Sequence, residues 1–191
     1  LLSLDTDVNP TLRGSYTGYH PKDYSLPQSN KGILEVLLGA ILTQNTAWTN
    51  ADKALGQIAD QDYLSISKLL ILSHEKLGEI IRSSGYYNQK ATRIHRLCKF
   101  LQKNPISDLK DLSGLELRKK LLDIKGVGPE TADSMVLYGF KKLTFVVDNY
   151  TKRLLHRLGV IKGKYPYSYY QEVFHHIFPP KSGNYPLYNE Y

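Results

Sequence analysis

The chain has 191 residues, a net charge of +7 and an isoelectric point near 9.3, and 41% of its residues are hydrophobic. This length and composition fit one or two small folded domains and exclude a largely disordered protein. A single cysteine, Cys98, excludes an internal disulfide framework, and no stretch is apolar enough to span a membrane or has the pattern of a signal peptide. The positive charge favours a polyanionic partner.

The first half of the chain begins with residues 1 to about 30, whose Pro, Gly, Ser, Asn and Tyr content predicts an irregular N-terminal arm. The segment 32–44 is apolar at almost every position, which predicts a buried helix at the centre of a helical core. The polar residues Gln44 and Asn45 end it, and we expect them at a surface or cleft. A second helix is predicted from Trp48 to about residue 60.

The middle of the chain continues with a short apolar segment at 66–72 and a helix that Ser73 caps and that runs to about residue 82. A longer helix over 88–102 carries Cys98 on its apolar stripe, which indicates a small core residue. The pattern favours a solvated face over a contact with nucleic acid for the cations of this helix, which are Lys90, Arg93, Arg96, Lys99 and Lys103.

Two helices around a glycine turn follow. Ser113 and Glu116 have the spacing of a capping box and predict the start of the first helix. The turn contains Gly126 and Gly128, which can adopt positive φ and let another backbone approach, and Pro129 suits the first position of the second helix. The N–H groups of such a turn form an anion site, and for a basic protein a DNA phosphate is the obvious anion.

An extended apolar run at 143–147 then ends in Asp148. From the residues alone, this carboxylate either faces a cleft or caps a helix that begins near Asn149. Further helices are predicted over 151–158 and 169–178, and no convincing strand is found beyond 143–147. The predicted fold class is all-α.

Three segments together resemble the helix–hairpin–helix DNA glycosylases, the superfamily of endonuclease III. They are Leu-Leu-Gly-Ala-Ile-Leu-Thr-Gln-Asn-Thr-Ala-Trp-Thr-Asn at 37–50, the hairpin at 121–132, and Val-Val-Asp-Asn-Tyr-Thr-Lys-Arg at 146–153. The resemblance implies two helical lobes that flank a DNA cleft. One is a central lobe over 31–137 with the hairpin at about 114–138, and the other is a C-terminal lobe over 138–191 that the N-terminal segment joins. The implied protein is a monomer that binds double-stranded DNA with a damaged base.

The resemblance also implies roles for individual residues. Asp148 would be catalytic, because a carboxylate stabilises the positive charge on the sugar as the base departs and can orient water. Trp48 would line the base pocket, and its alternative is burial against the central helix. Gln44 would fill the gap left by the extruded base, within a set of DNA-binding residues formed by Gln44, Asn45, Lys125, Gly126, Val127 and Gly128.

Position 130 indicates the type of chemistry. In bifunctional members of the family, a lysine two residues after the second hairpin glycine forms a Schiff base and leads to strand cleavage. Here the residue is Glu130, which cannot form an imine, so we predict a monofunctional glycosylase. Glu130 together with Gln-Asn-Thr-x-aromatic resembles the bacterial 3-methyladenine branch, which favours an alkylated purine as substrate. That branch carries Trp-Trp-Pro before the central helix, where this chain has Ser-Leu-Pro-Gln-Ser at 25–29.

No cofactor is expected from the residues of this chain. Many relatives end in a four-cysteine loop that holds a [4Fe-4S] cluster, and such a cluster is expected here only if a longer parent chain supplies the cysteines. The chain starts without Met and stops where that loop would follow, which predicts a fragment truncated at its C-terminal end. The expected location is intracellular, in the cytoplasm or nucleoid of a prokaryote.

Two alternatives remain open at the level of sequence. The first is a non-catalytic helix–hairpin–helix DNA-binding protein, against which the presence of both Gln44 and Asp148 argues, because a binder needs neither. The second is a bifunctional glycosylase and abasic-site lyase that uses another amine.

Overall fold

A computed structural model describes residues 23–181 and Tyr188, so residues 1–22 of the predicted arm and most of 182–191 lie outside the described part of the chain. Within that part every regular element is helical, which confirms the predicted all-α class, and no helix there is long and apolar enough to cross a membrane. The ten α-helices of the described residues are α1 Asn30–Leu42, α2 Trp48–Asp60, α3 Ile66–Ile71, α4 His74–Ile80, α5 Tyr87–Lys103, α6 Ile106–Asp111, α7 Gly114–Leu122, α8 Pro129–Ser134, α9 Asn149–Arg157 and α10 Tyr167–Ile177.

Local capping signals are confirmed. The Ser73 side chain accepts a hydrogen bond from the Lys76 N–H, and Ser113 and Glu116 form the reciprocal capping box at the start of α7. The run at 143–147 forms neither a helix nor a strand within the described residues. Helix α6 was missed by the sequence analysis, because six residues are too few to show a period.

The second hairpin helix differs from the single helix predicted to about residue 138. After α8 the backbone continues as one turn of π-helix over Met135–Gly139. Such turns are rare and often lie near functional sites.

The chain divides into two compact units between Gln102 and Lys103. The lobe boundary predicted near residue 137 concerns the assembly of the lobes and stays a prediction. In the first unit, nine of the 13 residues of α1 are buried, so α1 is a core helix as its composition predicts, and it packs against α2. Cys98 is fully buried, and burial raises the pKa of its thiol to about 12, which fits a structural rather than a reactive cysteine.

The hydrophobic core of the second unit is formed largely by residues of the run at 143–147 and of α10. Phe145 stacks on Phe174, and the edge of Tyr188 meets both rings. Apolar burial on this scale is the main stabilising contribution to such a core. The buried members of this cluster are Leu137, Phe145, Val147, Ile161, Tyr170, Phe174 and Tyr188.

A buried carboxylate, Asp133 on α8, ties these elements together. Arg118 of α7 donates to both carboxylate oxygens, from Nε at 2.7 Å and from Nη2 at 3.1 Å. Thr144 donates to Oδ1 at 2.9 Å, and Gln171 of α10 donates to Oδ2 at 3.0 Å. The Asp133 side chain is 0% exposed, so these donors replace the water that the carboxylate loses.

The run that leads to Asp148 is held by α10 at three backbone groups. Gln171 donates to the carbonyl oxygen of Phe145 at 2.6 Å, and the Val147 N–H donates to the hydroxyl of Tyr167 at 3.1 Å. The Phe145 N–H donates to Nε2 of His175 at 3.3 Å. A segment without strand partners thus has its backbone groups satisfied by side chains, which fixes its path.

We expect Asp133→Ala to destabilise the protein by about 3–5 kcal/mol, because it leaves the partly buried Arg118 guanidinium without its anion and removes an acceptor from Thr144 and from Gln171. Urea unfolding measures the effect. The exposed acid Asp111 is the matched control, and Asp111→Ala should change stability by less than about 0.5 kcal/mol. Equal losses in the two variants would contradict the proposed role of Asp133.

The second expectation concerns pH. Burial lowers the pKa of His175 from its ordinary value of 6.5, and its Nε2 acts as an acceptor, so the folded state resists protonation more than the unfolded state does. The stabilising contribution of the neutral ring is therefore complete above pH 6.5 and is lost as the pH falls below that value. His175→Gln should lose less stability between pH 7.5 and pH 5 than the wild type in urea unfolding. A pH dependence of stability in His175→Gln equal to that of the wild type would contradict this role of His175.

Candidate functional site

The hairpin turn lies between α7 and α8, and its two glycines differ. Gly126 has φ of 104°, a left-handed conformation that favours glycine, as expected. Gly128 instead has φ of −92° and ψ of 177°, which any residue adopts, so the capacity of glycine for positive φ is used only at Gly126 in this pair. A Cβ built on Gly128 would meet no atom within 4 Å. The packing of the described residues therefore gives no reason for glycine at 128, whereas an approaching external backbone would.

The turn has one N–H group with no acceptor in the described residues. The N–H of Val127 donates to the carbonyl oxygen of Ile124 at 2.9 Å, and its side chain is buried, so Val127 shapes the turn and has no N–H left for a ligand. The N–H of Gly128 donates no hydrogen bond within residues 23–181. With Lys125 exposed beside the turn, Gly128 is the better donor for a phosphate.

Asp148 lies at the end of the anchored run and is half-buried. It is the N-cap of α9: its Oδ1 accepts from the Thr151 N–H at 2.7 Å and from the Thr151 hydroxyl at 2.8 Å. Its other oxygen, Oδ2, accepts no hydrogen bond from the described part of the chain. The capping interpretation is therefore confirmed, and it leaves one carboxylate oxygen available for other chemistry. The catalytic role of Asp148 stays a prediction.

Glu130, in the first turn of α8, belongs to the electrostatic surroundings of Asp148. The surrounding protein removes enough water to raise the pKa of Glu130, although its side chain reaches the surface; the charge of Lys152 opposes this shift, and that of Asp148 adds to it. Lys152 lies one turn after Asp148 on α9, and its Nζ is 5.9 Å from the centre of the Tyr167 ring. Two carboxylates and one ammonium therefore interact in the second unit.

In the first unit, Gln44 and Asn45 lie in the loop between α1 and α2 rather than at the end of α1. Asn45 has φ of 52°, a left-handed conformation that asparagine tolerates, and it is exposed. Gln44 is half-buried, and its Oε1 accepts a hydrogen bond from Arg93 of α5. The sequence analysis treated Arg93 as a solvated cation, and the helical period alone could not reveal this contact with a distant loop.

Trp48 is the first residue of α2, and 47% of its surface is exposed. This exposure excludes the alternative in which Trp48 is buried against the central helix. The described residues contain no group of three or more His, Cys, Asp or Glu side chains that could hold a metal ion. The ring of His175 accepts a backbone hydrogen bond from Phe145, which gives this histidine a structural role.

Each unit therefore brings part of the candidate site together. The loop with Gln44, Asn45 and Trp48 is in the first unit, and the hairpin turn, Glu130 and Asp148 are in the second. Lys152 was missed by the sequence analysis. Its position four residues after Asp148 is the available signal, because residues i and i+4 share a helix face.

Comparison with known proteins gives the family. The family model described as the HhH-GPD superfamily of base excision DNA repair proteins matches residues 38–180. A protein of Methanocaldococcus jannaschii named "Putative DNA repair glycosylase" is 43% identical over 161 residues, which are 82% of this chain and 72% of that protein. Endonuclease III of Thermotoga maritima is 34% identical over 69% of this chain, which spans 59% of the length of that relative.

Two solved structures are similar to this chain. The 3-methyladenine DNA glycosylase MagIII of Helicobacter pylori, solved with 1,N6-ethenoadenine, has a TM-score of 0.71 and is 30% identical, with 86% of this chain and 82% of that chain covered. An endonuclease III–DNA covalent intermediate has a TM-score of 0.69 at 23% identity, with 81% and 69% covered, and shows the shared fold. On the hairpin, the Asp148 segment and these matches, the chain belongs to the HhH-GPD superfamily of base excision DNA repair proteins, a family of DNA glycosylases.

Proposed function

We propose that this chain acts as a monofunctional DNA glycosylase that extrudes a damaged base from duplex DNA and hydrolyses its N-glycosidic bond, leaving an abasic site. The observation that carries the proposal is the state of Asp148. One of its oxygens is fixed by Thr151, and the other accepts nothing from the described residues, at the end of a run held by Gln171, Tyr167 and His175. A carboxylate placed in this way has a fixed orientation and keeps one oxygen for the reacting sugar.

The proposed reaction needs little beyond that carboxylate. As the bond between C1′ and the base nitrogen breaks, its electron pair leaves with the base, and the sugar gains oxocarbenium character. Asp148 stabilises this positive charge. Water then adds to C1′, and Asp148 accepts its proton, which completes the hydrolysis.

Different residues are proposed to bind the DNA backbone and to fill the gap left by the extruded base. The Gly128 N–H and the Lys125 ammonium would bind a backbone phosphate, since both offer donors to an anion. The Gln44 amide would take the place of the extruded base, because it can donate to and accept from the unpaired partner base. In the absence of DNA, its Oε1 is held by Arg93.

An alkylated purine is the proposed substrate class. Exposed Trp48 supports it, because an indole face attracts a cationic base. Such a base departs as a neutral molecule, so no general acid is required. The likeness to MagIII, named as a 3-methyladenine DNA glycosylase, also supports this choice.

The test of the proposal is a panel of duplexes that carry 3-methyladenine, uracil, mismatched thymine, oxidised pyrimidines or oxidised guanine, with and without alkali. Strand cleavage that requires alkali, strongest on 3-methyladenine, is the expected result. Cleavage without alkali would identify a lyase, and binding without any cleavage would identify a non-catalytic DNA-binding protein.

The alternative of a lyase has a specific candidate amine in Lys152. Its charge interacts with Glu130, and Glu130 occupies the position at which bifunctional members carry the reactive lysine. Borohydride trapping tests this directly. We expect no covalent protein–DNA complex with the wild type, since Glu130 cannot form an imine. A complex that disappears in Lys152→Met would assign lyase activity to Lys152 and contradict the monofunctional proposal.

We expect Asp148→Asn to lower the single-turnover rate of base excision about 10²-fold or more, because a neutral amide cannot stabilise the charged sugar. The variant should fold normally, since asparagine is as good an N-cap as aspartate and retains an oxygen for Thr151. Asp108→Asn, at an exposed acid of α6, should retain the wild-type rate. A folded Asp148→Asn variant with near-wild-type excision would show that Asp148 is not catalytic.

Alanine substitutions at the two hairpin glycines should separate an effect on protein stability from an effect on DNA binding. Gly126→Ala should destabilise the protein by about 1 kcal/mol or more, because alanine is strained at φ of 104°. Gly128→Ala should change stability by less than about 1 kcal/mol, since its backbone angles suit alanine and its Cβ meets nothing.

In binding, Gly128→Ala should weaken the affinity for a duplex with a tetrahydrofuran abasic analogue about tenfold, because a Cβ obstructs a phosphate at the Gly128 N–H. Thermal unfolding and fluorescence anisotropy measure the two effects. Unchanged affinity in Gly128→Ala would exclude a phosphate contact at this turn.

A further inference from the structure

A buried ammonium group lies under the loop that carries Gln44. Lys90 of α5 is 1% exposed, and its Nζ donates to the carbonyl oxygen of Leu42 at 2.7 Å and to that of Ser84 at 2.6 Å. Burial lowers the pKa of Lys90 to about 8, helped by the nearby charge of Arg93, so the amine remains mainly ammonium at pH 7. A lysine is rarely buried to this degree unless its charge is compensated.

The contact with Leu42 compensates the charge at a particular place, the C-terminal end of α1. The last carbonyl groups of a helix lack partners within the helix, and its dipole favours a cation there. Helix α1 has no basic residue in its own last turn. Lys90, 48 residues further along the chain, therefore supplies the charge that would otherwise come from α1 itself.

The second contact connects α1 to the turn of 3-10 helix Arg82–Ser84. The hydroxyl of Ser83 in this turn donates to the carbonyl oxygen of Asn50, in the first turn of α2, at 3.1 Å. The end of α1 and the start of α2 are thus attached to the same short turn, one through Lys90 and the other through Ser83. The loop between these two attachments is 43–47, which contains Gln44 and Asn45.

We propose that Lys90 is a positioning residue for Gln44: its ammonium fixes the end of α1 and thereby sets where the Gln44 amide stands when it replaces an extruded base. Arg93, one turn further along α5, holds the Gln44 side chain itself. Helix α5 therefore controls the loop through a backbone contact and a side-chain contact. The inference rests on the proposed base-extruding function.

The first experiment measures the loop without DNA. Lys90→Met keeps the length and apolar stem of the side chain but removes both donors, and Lys99→Met on the exposed face of α5 is the matched control. Hydrogen exchange of peptides that cover 40–50 should become faster in Lys90→Met and remain unchanged in Lys99→Met. Unchanged exchange in a folded Lys90→Met variant would overturn the proposal, whatever the protein does with DNA.

The second experiment uses a duplex with 2-aminopurine opposite a tetrahydrofuran abasic analogue, which reports insertion without any chemistry. Lys90→Met should lower the preference for this duplex over an undamaged one at least about tenfold, because a displacement of about 1 Å at such a contact is costly. In a Gln44→Ala background the same change should have little further effect, since the residue through which Lys90 acts is gone. An equal loss in both backgrounds would reduce Lys90 to a general structural role and overturn the proposal.

Ser83→Ala is a second variant that weakens the same attachment without removing a buried group, because Ser83 is exposed. It should shift loop exchange and duplex preference in the same direction as Lys90→Met, by a smaller factor. A loop that becomes mobile in Lys90→Met while the wild type shows no preference for the abasic duplex would instead contradict the proposed function.

Discussion

The second unit depends on one buried ion pair, Asp133 with Arg118. A carboxylate with no exposed surface is stable only if donors replace its water, and here Arg118, Thr144 and Gln171 do so from three different segments. The same Gln171 also holds the carbonyl oxygen of Phe145. The charge of Asp133 therefore fixes the path of the run at 143–147, and the run determines where Asp148 lies.

The first unit also contains a buried charged group that is stabilised by hydrogen bonds, but here the group is a cation. The Lys90 ammonium satisfies the end of α1 as Asp133 satisfies its donors, and in both units the buried charge lies next to a segment with a candidate functional residue. A buried ion contributes little net stability compared with a well-packed apolar group. A buried ion is stable, however, only with hydrogen-bond partners in defined positions. It can therefore fix the position of a neighbouring loop and of the side chain that the loop carries.

The region around Asp148 shows how one residue can have a structural and a chemical role together. Its Oδ1 caps α9 through Thr151, which restricts the rotation of the side chain, and Oδ2 accepts no hydrogen bond from the described residues. The two interpretations that the sequence left open are therefore compatible. In the hairpin, the roles are divided between residues instead: Gly126 provides the backbone conformation, Val127 closes the turn, and Gly128 offers an N–H and open space.

The sequence by itself determined the all-α class, most helix bounds within a few residues, the capping box at Ser113, the buried character of α1 and the family, because caps and apolar periods are local properties of the chain. The tertiary structure decided which groups are free or engaged. The Val127 N–H has an acceptor and that of Gly128 has none among the described residues, Trp48 is exposed, and Arg93 contacts Gln44. It also decided that Lys90 is buried, although its helical position next to other cations predicted a solvated face. The partners of these groups lie up to 49 residues away in the chain, so only folding brings them together.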